Sequence, residues 1–116
     1  ALKGFAAFAF SGIARPGRFE DDLRVLGIRL VGVRRFADHH RYRPRELDAI
    51  AREARQRGAE ILLTTEKDMI RVTSAPEDGL PLYALALRVT TQGGADLPAY
   101  ILDRLRHLTP RPGGSS

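Results

Sequence analysis

The sequence predicts an α/β fold: a mostly parallel sheet of about four strands with helices on both faces. Three observations carry this. The segments run strand, helix, strand, helix, strand, which favours parallel strands joined by crossovers. The first strand, "KGFAAFAF", is apolar at nearly every position, as strands covered on both faces are. Two intervening stretches carry apolar residues at helical spacing and stop at a glycine.

After the first strand, Gly12, Pro16 and Gly17 in "SGIARPG" supply turn chemistry. From Arg18, the residues Phe19, Leu23 and Leu26 make one stripe of a first helix that ends at Gly27. "IRLVGVRRF" is rich in β-branched residues and reads as the second strand. Pro44 suits a first helical turn, and Leu47, Ile50, Ala51 and Ala54 form the stripe of a second helix closed by Gly58. "EILLT" is a third strand. "TEKDMIRV" reads as a helical turn capped by Thr65, with Glu66 and Asp68 favoured near its start. "LYALALRV" reads as a fourth strand at an edge of the sheet. Leu97, Ile101, Leu105 and Leu108 stripe a final helix, which places His107 on it. The elements describe one Rossmann-like domain over residues 1–108 and a disordered tail, "TPRPGGSS", over 109–116.

Composition narrows the chemistry. The chain has 116 residues, 43% hydrophobic and 28% charged, room for one core and not two. It has no cysteine, so thiolate chemistry and disulfides are excluded. Its longest apolar stretch, "FAAFAF", falls far short of the roughly 20 residues a membrane helix needs. An alanine at position 1 entering a strand almost at once reads as a piece of something longer. Five arginines against one aspartate in residues 34–45 hold most of the formal net charge of +5.

In an open parallel sheet, ligands gather at the carboxyl ends of the strands. The segments placed there are "SGIARPGR", "DHHRYR" and "TEKD". The first could cradle a phosphate on backbone N–H groups or simply turn tightly; neither G-x-x-x-x-G-K-[ST] nor G-x-G-x-x-G occurs anywhere. Asp38-His39-His40 makes a poor metal site, since adjacent loop histidines rarely reach one ion and His107 is distant in sequence. It could hold a general base oriented by a carboxylate, or a capped turn with solvated histidines. "TEKD" alone is compatible with a salt-bridged turn of small energetic weight. Arg15, Arg41 and Arg43 on this edge suit a phosphate, which guanidinium binds bidentately. RNA or another polyanion is the rival ligand of a non-catalytic basic module, although only Phe36 and Tyr42 interleave the patch as stacking groups. An Asp-His-His phosphoesterase would need further upstream aspartates, and only Asp21 and Asp22, within a helix, are offered.

The succession "FSGIARPGRFEDDLRVLG", "FADHHRYRPREL" and "AEILLTTEKDMIRV" resembles the C-terminal lobe of the tetraacyldisaccharide 4'-kinase (lipid A 4'-kinase) family over about residues 5–90. The resemblance implies a kinase on the cytoplasmic face of the Gram-negative inner membrane. It would transfer the ATP γ-phosphate, with Mg2+, to the 4'-hydroxyl of an acylated disaccharide 1-phosphate, giving lipid IVA. It implies that ATP and Mg2+ are held mainly by an N-terminal P-loop lobe outside this chain, that this piece alone is inactive and binds no metal, and that nucleic acid is no partner. An anionic membrane surface would be a natural neighbour. The histidine after the aspartate of the family's "DH" pair works with a carboxylate of the other lobe on the acceptor hydroxyl. By position this is His39, with Asp38 as neighbour and orienter. Thr65, Glu66, Lys67 and Asp68 would line the interlobe cleft. The loop is richer in arginine than the family pattern.

Overall fold

The computed structural model describes residues 4–73, 76–77, 79–90 and 99–107, with backbone alone at 86–90 and 99–107. Strand β1, Ala6–Ser11, is buried at all six positions and occupies the interior of the sheet. On one side it pairs in parallel with β2, Arg29–Arg35, and on the other with β3, Ile61–Thr65. Parallel β4, Leu82–Thr90, follows β3, so the order is β2-β1-β3-β4 with β5, Ala99–His107, beyond. The four parallel strands and the helices between them are the expected α/β, Rossmann-like fold.

Helix α1, Pro16–Val25, sets Phe19 and Leu23 against Ala7, Ala9, Leu63 and Leu85 on one face. Helix α2, Pro44–Gln56, sets Leu47, Ile50, Ala51 and Ala54 against Phe8, Phe10, Leu62 and Leu82 on the other. Alternation along β1 therefore feeds two cores, small residues under α1 and two fully buried phenylalanines under α2. Each such phenylalanine contributes on the order of 1.5–3 kcal/mol of burial.

Both helices end as their sequences indicate. Gly27 and Gly58 take φ near +83°, which a residue without Cβ adopts at little cost. Ile28 N–H returns to Leu23 O and Gly27 N–H to Arg24 O; Ala59 to Ala54 O and Gly58 to Arg55 O repeat the pattern. These are two Schellman closures. Helix α3, Glu66–Met69, is the expected short turn, and Thr65 Oγ1 accepts the Asp68 N–H at 3.0 Å.

Two expectations are corrected. Ile101 and Leu105 lie not in a last helix but in strand β5, Ala99–His107, antiparallel to β4; His107 is thus on a strand. The expected stripe misled because Leu97, Ile101 and Leu105 are spaced by four, which satisfies a period of two as well as a helical turn. The open backbone edge of β4 decides between them by offering a full ladder of hydrogen bonds. For the same reason β4 is no edge strand. Leu97, Leu108 and the expected tail 109–116 lie outside the described residues.

Candidate functional site

The carboxyl ends of β1, β2 and β3 lie on one edge of the sheet, and a buried carboxylate ties them together. Asp68 has no exposed surface. Its Oδ1 accepts from Gly12 N–H at 2.9 Å, the Tyr42 hydroxyl at 3.0 Å and Arg71 Nη1 at 3.3 Å. Its Oδ2 accepts from Thr65 Oγ1 at 2.7 Å. A carboxylate taken from water needs such a set of donors and a cation to remain charged. Burial, and then the neighbouring Asp68 charge, push the Tyr42 phenol upward, so this hydroxyl remains a donor. Within the "TEKD" group Asp68 is therefore the buried member, and in this chain it holds three loops together.

Gly12 is where two of these loops touch. A Cβ there would lie 2.7 Å from the Ala37 carbonyl oxygen and 3.2 Å from Tyr42 Oη. With its N–H on Asp68 and its carbonyl accepting from His39 N–H at 3.0 Å, Gly12 serves the close-packed turn and does not offer that N–H to a phosphate. Tyr42 also bridges to Val72, its N–H donating to Arg71 O at 3.2 Å. The loop after β2 is thus stitched to the segment after α3.

On this base the two neighbouring histidines part. His40 turns inward: its ring stacks on Phe36 at 4.6 Å and meets Tyr42 edge-on, and its Nε2 lies 3.0 Å from both Glu46 carboxylate oxygens. Glu46 also accepts from Arg43 N–H at 3.0 Å, half of a capping box at the start of α2. Arginine has no acceptor, so the reciprocal bond cannot form. The Arg43 N–H first, and then His40, hold the Glu46 carboxyl below its ordinary range.

His39 turns outward. Its backbone is left-handed, φ 67°, and its side chain is 77% exposed. Arg71 Nη2 lies 3.0 Å from its Nδ1. Asp38, itself half exposed, stands 3.7 Å from His39 Nε2, longer than a hydrogen bond. The group in hydrogen-bond contact with this ring is Arg71, which the motif reading passed over. A signal existed, since Arg71 stands three residues after Asp68 on a helical turn.

The arginines also divide. Arg35 makes a bidentate pair with buried Glu20 at 3.0 and 2.7 Å, which raises the guanidinium pKa further. Arg34 pairs with Glu53 at 3.2 Å and lies over the Phe36 ring. Arg41, Arg43 and Arg45 are exposed, and with His40 and Glu46 they line an open hollow. Arg41 also lines a second hollow with His39, Tyr42, Ile70 and Arg71. Arg15 lies apart from these, in a third hollow with Arg18, Thr65, Glu66 and Lys67. The edge therefore brings His39 together with Arg41, and Arg15 with Thr65–Lys67, in separate depressions either side of the Asp68 tie. The His39 depression carries Arg41 and Arg71, whereas the other sets Arg15, Arg18 and Lys67 beside Asp22 and Glu66.

Among the described residues, no three of His, Cys, Asp or Glu gather as they would around a metal ion. No described helix is long and apolar enough to cross a membrane.

Comparison with known proteins supplies what the geometry alone does not. A profile of the family described as tetraacyldisaccharide-1-P 4'-kinase matches residues 1–106. The tetraacyldisaccharide 4'-kinase of Methylobacterium sp. (strain 4-46) is 49% identical over 75 residues, covering 65% of this chain and 22% of its own length. That of Desulfotalea psychrophila is 42% identical over 83 residues, covering 72% and 24%. That of Anaeromyxobacter sp. (strain Fw109-5) is 43% identical over 103 residues, covering 89% and 28%. No solved structure matches. The chain spans about a quarter of the length of these curated relatives. With a family profile covering nearly all of it, the chain belongs to the tetraacyldisaccharide-1-P 4'-kinase family.

Proposed function

We propose that this chain is the C-terminal lobe of an ATP-dependent kinase of lipid A biosynthesis, acting at the cytoplasmic face of the Gram-negative inner membrane. The enzyme phosphorylates the 4'-hydroxyl of a tetraacyldisaccharide 1-phosphate to give lipid IVA. ATP and Mg2+ are held by a P-loop lobe outside these residues, and this chain alone is inactive. The observation that carries the reading is His39: a histidine on left-handed backbone, at the ligand edge, exposed and flanked by Arg41 and Arg71. A strained, solvent-facing polar residue on a rigid frame is better suited to meeting a ligand than to holding a fold.

The chain's own contributions follow. His39 presents its ring to the acceptor side of an interlobe cleft, with Asp38 beside it. Arg41 and Arg43, and Arg15 across the tie, attract the phosphates of the acceptor lipid. Thr65, Glu66 and Lys67 form the opposite wall. Phosphoryl transfer depends chiefly on alignment and charge stabilisation, so a lobe offering a histidine and cations but no phosphate loop supplies half of the arrangement.

The test is turnover of the intact enzyme with His39→Ala. A loss of roughly 10²-fold or more, the scale of a lost proton-transfer group or of a lost hydrogen-bond donor at the reacting oxygens, is expected; an unchanged rate would remove His39 from the reaction. The rival reading, a basic module for RNA or another polyanion, is weakened by the engagement of Arg34 and Arg35 with carboxylates. It requires strongly salt-dependent binding to nucleic acid.

A further inference from the structure

We infer that Arg71 is a positioning residue for His39: held by the buried Asp68, it fixes the ring and the tautomer, so that His39 presents Nε2–H to whatever occupies the cleft. This rests on the proposed place of His39 at the cleft and narrows its role. With Nδ1 engaged by Arg71 and the proton on Nε2, the neutral ring meets the acceptor or phosphoryl oxygens as a hydrogen-bond donor and not as a proton acceptor. The residue that sets this is one that no motif marks.

The geometry forms a short chain from core to surface. Asp68 is fully buried and anchored by Gly12, Tyr42 and Thr65. Arg71 Nη1 donates to it at 3.3 Å, with the arginine side chain 19% exposed. The same guanidinium places Nη2 3.0 Å from His39 Nδ1. A guanidinium has only donors, so the nitrogen it meets must be the one with the lone pair. In a neutral imidazole the single proton then sits on Nε2. Asp38, 3.7 Å from Nε2, leaves that proton without a direct partner on its own loop.

The arrangement also explains why His39 tolerates φ 67°. Its N–H is pinned to the Gly12 carbonyl and its ring to Arg71, two contacts that over-determine a sparsely populated backbone. Arg71 thus converts a buried anchor into a defined orientation for an exposed ring, as partners behind metal-bound histidines do.

Two measurements test this, and they fail separately from the kinase reading. In the 15N-labelled chain, at a pH where the ring is neutral, His39 should show one tautomer, Nε2–H, with Nδ1 shifted as a hydrogen-bond acceptor. Arg71→Leu should release that shift, and Arg71→Lys should largely keep it. A wild-type ring exchanging between tautomers, or an Nδ1 resonance without acceptor character, overturns the inference even if no Arg71 variant folds. In the intact kinase, Arg71→Leu should lower kcat by up to about 10²-fold, the scale of a misplaced group, with the KM for ATP unchanged. In a His39→Ala background it should cost nothing further, because residues acting as a unit are not additive. An equal loss in both backgrounds would assign Arg71 a structural role only. Should His39→Ala itself leave turnover unchanged, the kinase reading fails at His39, while the nitrogen spectrum still decides whether Arg71 holds the ring.

Discussion

His39 and His40 share a peptide bond, a loop and a composition, yet they sit in opposite physical settings. His40 is three-quarters buried, stacked on Phe36 and bound to Glu46, and it helps fasten the loop to the start of α2. His39 is 77% exposed, on strained backbone, and touched by one guanidinium. The difference arises below them: Gly12, Tyr42 and Asp68 fix the loop so rigidly that one ring must point in and the next out. A fold can thus place an exposed ring in water without making its position loose, provided the strain is absorbed by neighbours that are themselves buried.

The largest expected effect strikes the foundation of both histidines. Asp68→Ala leaves the Gly12 N–H, the Tyr42 hydroxyl and Arg71 without their acceptor, and should cost about 3–5 kcal/mol, the scale for breaking a buried pair. Urea unfolding of the chain measures this, and a loss under 1 kcal/mol would show that the tie is not structural. Gly12→Ala comes next. Its Cβ would meet the Ala37 carbonyl at 2.7 Å, and the strain should cost roughly 1–3 kcal/mol by the same unfolding measurement. It should also shift the His39 resonances, since the loop must move.

His40→Ala should destabilise the chain by roughly 1–2 kcal/mol through lost stacking and a lost charge-assisted bond. The Glu46 contribution is visible in acid. Its folded carboxyl titrates below the ordinary 4.5, so its stabilisation is present above that value and disappears as pH falls through the lower folded one. Unfolding midpoints followed into acid should fall with this limb, and Glu46→Gln should flatten it. The smallest effect on stability belongs to His39→Gly, which relieves the left-handed backbone and should leave stability level or raise it by up to about 1 kcal/mol.

What was legible beforehand was local. Gly27, Gly58, Pro44 and Thr65 announce helix ends and starts because their conformational limits act within a few residues. The gathering of the three loops on one edge of the sheet was legible as well, because parallel topology sorts loops by strand end. The inner organisation of that edge was not. Asp68 reads as a surface charge until Gly12 and Tyr42, 56 and 26 residues away in sequence, converge on it. The split between His39 and His40 depends on the same distant contacts, as does the separation of Arg15 from Arg41 and Arg43. Strand β5 escaped because a spacing of four fits helix and strand alike, and the choice belonged to the edge of β4.

The sharpest single measurement is turnover per folded molecule of the intact kinase carrying His39→Ala, set beside His40→Ala, with folding checked by melting. His39→Ala should remain as stable as the parent and lose roughly 10²-fold or more in kcat, while His40→Ala should melt lower and keep most of its turnover once folded. The reverse pattern, with His40 required for turnover and His39 dispensable, would contradict the assignment of chemistry to the outward ring.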